Sequence, residues 1–122
     1  MSEPALSDKI TALKVPPHSI EAEQAVLAAL MLDNSRWDAV SEVLLPGDFY
    51  RKEHRLIYQA MQQQTADARP IDVITLSEAL RSANLLTEAG GVDYLGELLG
   101  SNQSAANIVA YAGIIKERAV LR

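Results

Sequence analysis

Cysteine is absent from the 122 residues, so neither a disulfide framework nor a thiolate metal site is available. Aromatic side chains are scarce: one Trp, one Phe and four Tyr make up 5% of the chain. Leu, Ile, Val, Ala and Met must therefore supply most of the core, and that composition leans helical, because strands favour β-branched and aromatic residues. Basic residues are outnumbered, 11 against 16 acidic ones, for a net charge of −5. An acidic domain repels a phosphate backbone, which argues against nucleic-acid binding by the domain as a whole and leaves room only for a local basic patch. No apolar run approaches the ~18 residues of a membrane span, and the N-terminus lacks a signal-peptide pattern. The chain is expected to be soluble and cytoplasmic.

What remains is an ordinary globular composition, 48% hydrophobic, enough for one modest core in a chain of single-domain length. Every apolar pattern has helical period, and none alternates with period two. Residues 1–15 mix charges, Ser and Thr and predict a mostly disordered tail, with Leu6, Ile10 and Leu13 at the spacing of a transient helix. Pro16-Pro17 marks a boundary. Ser19 then caps a helix over 20–32, whose AVLAALML run is apolar all round and predicts a central position.

Further helices are expected over 36–45, with Trp37, Val40 and Leu44 inward, over 51–64, with His54, Ile57, Tyr58 and Met61 inward, and over 73–84. Either Asp72 or Thr75 caps the last of these, and the sequence does not choose between them. The stretch 62–70 reads as a polar loop. A short helix over 92–99 follows Gly90-Gly91, and a final helix runs from about Ser104 to Arg122. The fold class is an all-α bundle of about six short helices joined by short loops.

The final helix carries more information than the others. Ile108, Tyr111, Ala112, Ile115 and Ala119 form a stripe about 100° wide that can pack on the bundle. Ile114 and Leu121 lie off one side of it, Val109 and Val120 off the other. A terminal helix exposes such flanks, and an apolar patch of this kind marks an interface. Scattered apolar surface is the plainer alternative. No Gly, Asn or Pro stops the helix, so it is expected to continue in a longer parent chain and to pair there.

Chemistry-bearing constellations are lacking. There is no GxxxxGK[ST] phosphate loop. Gly90-Gly91 suits a tight turn better than an anion cradle. His18 and His54 stand in different segments without ligand-spaced acids, and His54 reads as a core or boundary histidine. Glu21 and Glu23 point to different sides of their helix and suit the helix dipole better than acid–base work. The basic cluster Arg51-Lys52-Glu53-His54-Arg55 reads as a solvated face. A small helical nucleic-acid-binding module using it is the alternative function. Tyr94, between Val92 and Leu95, is either a partner anchor or a packing residue.

The run VPPHSIEAEQAVL at 15–27, followed by Met31-Leu32-Asp33, resembles the opening of bacterial replicative DNA helicases of the DnaB type. The likeness continues in order through Asp48-Phe49-Tyr50, His54, Ile57, Pro70-Ile71-Asp72, Ile74-Thr75-Leu76, Gly90-Gly91, Tyr94-Leu95, Ser104-Ala105-Ala106-Asn107, Tyr111-Ala112 and Glu117-Arg118-Ala119-Val120. It covers about residues 15–122.

The resemblance implies a non-catalytic N-terminal collar domain, with a helical head at 16–100 and the start of a dimerisation hairpin at 101–122. It implies no cofactor or metal in this segment. ATP and magnesium would sit in the motor of the parent helicase, which would also hold the single-stranded DNA. Pairing hairpins would give dimers, and three dimers a hexamer. Self-association is expected on the last helix, at Ile108, Tyr111, Ile114, Ile115, Val120 and Leu121. Tyr94 matches a position used in the contact with the primase C-terminal region, and helicase loaders are expected on nearby surfaces. Gln103 departs from the family pattern, which commonly has proline there. Its absence predicts a less restricted joint between head and hairpin.

Overall fold

A computed structural model describes residues 18–100 and 105–122. Among these residues every regular element is helical. There are six α-helices: α1 Ile20–Leu32, α2 Trp37–Ser41, α3 Lys52–Ala66, α4 Val73–Ser82, α5 Gly91–Leu99 and α6 Ile108–Leu121. Short 3₁₀ turns at Asn34–Arg36, Pro46–Asp48 and Ala105–Asn107 join them. The tail at 1–15, Pro16-Pro17 and the joint at Gln103 and Ser104 lie outside the described residues.

The apolar run of α1 has the central position that its pattern predicts. Val26, Leu27, Ala28, Ala29 and Leu30 are all fully buried, with α6, α5 and α3 packed around them. Ser19 caps the helix by accepting from the Ala22 amide at 3.3 Å. Trp37, Val40 and Leu44 enter the same core. Phe49 and Trp37 both pack on the Tyr58 ring, at centroid distances of 4.8 and 5.0 Å.

Several boundaries differ from expectation, each for a local reason. Helix α2 stops at Ser41 rather than 45, because Pro46 forces Leu45 out of the helical region, to φ −104° and ψ 158°. Helix α3 continues through the glutamines expected in a loop, as far as Ala66. Gln is a good helix former, and Gln64 is buried, its amide donating to the Pro70 carbonyl at 3.4 Å. A Schellman closure then ends α3. The Arg69 amide reaches the Gln64 carbonyl at 2.8 Å, and Ala68 takes φ +56°. Asn84, at φ +60°, closes α4 in the same way.

The α4 cap is Asp72, which accepts from the Thr75 amide at 2.8 Å while the Thr75 hydroxyl accepts from the Asp72 amide at 3.0 Å. Asn34 ties the loop before α4 to the end of α1. Its carbonyl accepts from the Ile71 amide at 2.8 Å, and its amide donates to the carbonyls of Ile71 and Leu30 at 2.9 and 2.8 Å. Helix α6 begins at Ile108, after a 3₁₀ turn rather than at 104.

Candidate functional site

Two faces of this bundle concentrate the residues singled out in the sequence. The first is α6. The face it turns to the head is formed by Ile108, Ala112 and Ile115, all buried. Ile108 and Ile115, expected at a self-association surface, are therefore core residues, because they project toward α1 and leave nothing for a second chain to touch. Tyr111 and Ile114 are half-buried and, with Ser19, Glu21, Ala22 and Ala25, line a cleft of about 210 Å³ between α1 and α6. Val109, Val120 and Leu121 are 50%, 73% and 63% exposed. The C-terminal end of α6 is pinned to the turn before α3. Lys116 Nζ lies 3.1 Å from Asp48 Oδ2, and Arg122 donates to the Asp48 carbonyl at 2.6 Å and lies over the Tyr50 ring.

The second face is α5, where Tyr94 stands half-buried; the exposed Val92 and Leu99 lie on the other side of the helix. Its surroundings were only partly visible in the sequence. Gly90 takes φ +102° at the N-cap of α5. A Cβ there would come within 2.8 Å of Tyr94 Cβ. The double glycine is thus a tight turn that also seats the tyrosine.

The Tyr94 hydroxyl is hydrogen-bonded to His54 Nε2 at 2.5 Å and accepts from the Gln24 amide at 3.3 Å. His54 is fully buried, and its Nδ1–H donates to Glu23 Oε1 at 2.7 Å. Glu23 is buried too. Its carboxylate also accepts from the amides of Tyr50, at 2.7 Å, and Arg51, at 3.4 Å. A buried carboxylate is costly unless hydrogen-bonded, and here three donors meet it. Glu23 is therefore not a solvated dipole partner of its own helix. It binds the N-terminal end of α3, where the cap residue Arg51 offers no side-chain bond. Helical spacing carried no signal for this, since the partners are 27 to 31 residues away.

The basic cluster is engaged within the chain. Arg51 pairs with Glu53 and lies over the Tyr94 ring at 5.7 Å. Lys52 meets Glu88 at 3.1 Å, and Arg55 donates to the carbonyls of Phe49 and Tyr50 at 3.0 and 2.6 Å. Burial of Glu53 opposes its ionisation, but its own backbone amide and the Arg51 guanidinium outweigh that and hold the carboxyl below its ordinary range. Among the described residues no group of three or more His, Cys, Asp or Glu is placed to hold a metal ion, and no helix is long and apolar enough to cross a membrane.

Residues 15–117 match the DnaB-like helicase N terminal domain. The chain belongs to that family. Among its DnaB-type relatives, the replicative DNA helicase DnaB of Haemophilus influenzae is 50% identical over 117 residues, which is 95% of this chain and 25% of that protein. The replicative DNA helicase DnaC of Bacillus subtilis is 45% identical over 109 residues, 89% of this chain and 24% of that protein. The chain thus spans about a quarter of the length of these curated relatives. The crystal structure of the N-terminal domain of DnaB helicase from Mycobacterium tuberculosis superposes with a TM-score of 0.85 at 38% identity, covering 88% of this chain and 77% of that one. The all-α architecture is the fold of a DnaB N-terminal domain.

Proposed function

We propose that this DnaB-like domain is the non-catalytic collar of a replicative DNA helicase, serving self-association and the docking of primase. Residues 16–100 form the head, and 101–122 begin the dimerisation hairpin. ATP, magnesium and single-stranded DNA belong to the motor of such a helicase, and a loader is a further partner for the collar. The observation that carries the reading is the two-sided apolar character of α6. The head covers Ile108, Ala112 and Ile115, whereas Val109, Val120 and Leu121 stand open. An apolar flank on a helix already seated by its other face suits a helix from a second copy. Docking of the primase C-terminal region is assigned to Tyr94. The alternative, a nucleic-acid module at 51–55, is disfavoured because those cations already hold partners.

The test is a sedimentation-velocity concentration series. Leu121→Asp is expected to weaken self-association while leaving helicity unchanged, since the side chain is 63% exposed and holds no part of the core. Undiminished association by that variant refutes the α6 interface. A salt-dependent affinity of the chain for single-stranded DNA would favour the alternative.

A further inference from the structure

The Tyr94 hydroxyl faces inward. It is committed to His54 and Gln24, so what the tyrosine offers outward is its ring. Four groups fix where that ring stands. Gly90 underlies its base, where a Cβ would collide. His54 lies nearly parallel to it, 12° between planes at 5.8 Å. Gln24, from α1, reaches the hydroxyl, and the Arg51 guanidinium lies over the ring at 5.7 Å.

Glu23 stands behind two of the four. Its Oε1 takes both the His54 Nδ1–H and the Arg51 amide. With Nδ1–H donating to the carboxylate, the Nε2 lone pair is left for the Tyr94 O–H, and the Tyr94 oxygen is left for Gln24. Each donor in the series has one acceptor, and this pattern assigns the tautomer. A hydrogen-bonded network anchored on the buried His54–Glu23 pair specifies one arrangement more sharply than apolar packing does.

We infer that Glu23 and His54 are positioning residues for Tyr94: the Glu23–His54 pair holds the tyrosine by its hydroxyl so that the ring and the Arg51 guanidinium meet the partner in one preset geometry. The inference rests on the reading of Tyr94 as a docking residue, and the experiment separates the two.

Binding of the full 122-residue chain to the isolated primase C-terminal region is measured by calorimetry for the parent, Tyr94→Ala, Tyr94→Phe, His54→Asn and the Tyr94→Phe/His54→Asn double variant. His54→Asn retains a donor for Glu23 in the place of Nδ1–H and drops the bond to Tyr94. Tyr94→Phe and His54→Asn are each expected to weaken binding about three- to tenfold, the scale of one net hydrogen bond. The double variant is expected to match the weaker single, because both remove the same link. The ¹⁵N resonance of His54 Nε2 is expected to move in Tyr94→Phe.

If Tyr94→Ala is weak while Tyr94→Phe binds like the parent, the ring docks without being held, and the positioning inference falls while the docking site stands. If Tyr94→Ala binds like the parent, the docking site falls and takes the inference with it. Losses that multiply in the double variant also overturn the inference. Circular dichroism checks the fold of each variant, and should His54→Asn fail to fold, the comparison of Tyr94→Phe with Tyr94→Ala decides the question.

Discussion

Adjacent glycines offer an internally controlled test of how α5 is seated. Both have positive φ, +102° at Gly90 and +76° at Gly91. An alanine at either position meets the left-handed penalty of about 1–2 kcal/mol, partly offset by about 0.4–1 kcal/mol from the stiffer unfolded chain. For Gly91→Ala nothing lies within 4 Å of the added methyl, so the net cost should be about 1.5 kcal/mol or less. For Gly90→Ala the methyl would sit 2.8 Å from Tyr94 Cβ and 2.9 Å from both Cγ and Cδ2. These atoms lie at the base of the side chain, so no rotation of a flexible end relieves the contact. Either α5 or the tyrosine must shift, an overpacking cost of about 1–3 kcal/mol. Gly90→Ala should thus destabilise by about 2–4 kcal/mol in all, with a fall in Tm of roughly 5–20 °C for a domain of this size. Urea and thermal unfolding followed by circular dichroism measure both variants. Equal losses at the two positions would mean that Tyr94 does not press on Gly90, and the described seat would be wrong.

Two stability predictions follow from other parts of the bundle. The Tyr58 phenol donates to the Leu44 carbonyl at 3.0 Å, and burial, helped by the Asp48 charge, holds its pKa well above the ordinary value of 10.0. The folded chain therefore keeps a proton that the unfolded chain releases above about pH 10. The resulting stability is intact below pH 10 and is lost as pH rises beyond it. In a phenolate absorbance titration Tyr58 should stay silent until the chain unfolds, and Tyr58→Phe, costing about 1–2 kcal/mol near neutral pH, should flatten the alkaline decline. Titration of all four tyrosines before any loss of helicity would contradict this. Ala68→Gly should stabilise the chain by about 0.5–1 kcal/mol, because the left-handed strain relieved at φ +56° exceeds the unfolded-chain entropy that glycine adds. An unchanged or lower urea midpoint would count against the Schellman closure of α3.

Local signals in the sequence carry most of the fold. The all-round apolar run of α1, the Trp37–Val40–Leu44 stripe, the Ser19 cap and the double glycine before α5 each act through neighbours a few residues away, where helical period and backbone preference operate. The misread features depend on residues that hide their role or lie far off in sequence. Ala68 gives no hint of a left-handed stop, so a polar run that is helical to Ala66 looks like loop. Asp72 and Thr75 looked like rival caps, yet each bonds the backbone of the other. The Tyr94 site was half legible. The tyrosine and His54 drew attention by residue type, but the bond between them joins α3 to α5, and Glu23 joins α1 to α3. Periodicity within one helix cannot report such a link.

Both proposed faces are borne by helices seated on α1, and the two are seated by different physics. Helix α6 lies on α1 through Ile108, Ala112 and Ile115. Such contacts are non-directional and contribute in proportion to the area removed from water. Its direction is set at the far end, where Lys116 and Arg122 reach the turn around Asp48. Those ends are solvent-exposed enough that salt screens them. Helix α5 has an apolar seat as well, in Leu95 and Leu98, but it adds the hydrogen-bonded chain from half-buried Gln24 and Tyr94 to buried His54 and Glu23, and at the His54–Glu23 end water and salt have little access. Consecutive residues of α1, Glu23 and Gln24, serve different neighbours because successive positions on a helix point about 100° apart. Glu23 holds α3 and Gln24 holds α5, so one turn of the central helix fixes both sides of the tyrosine. The α6 face is therefore set mainly by packing. The α5 face is set by directional bonds and presents one arrangement to whatever docks there.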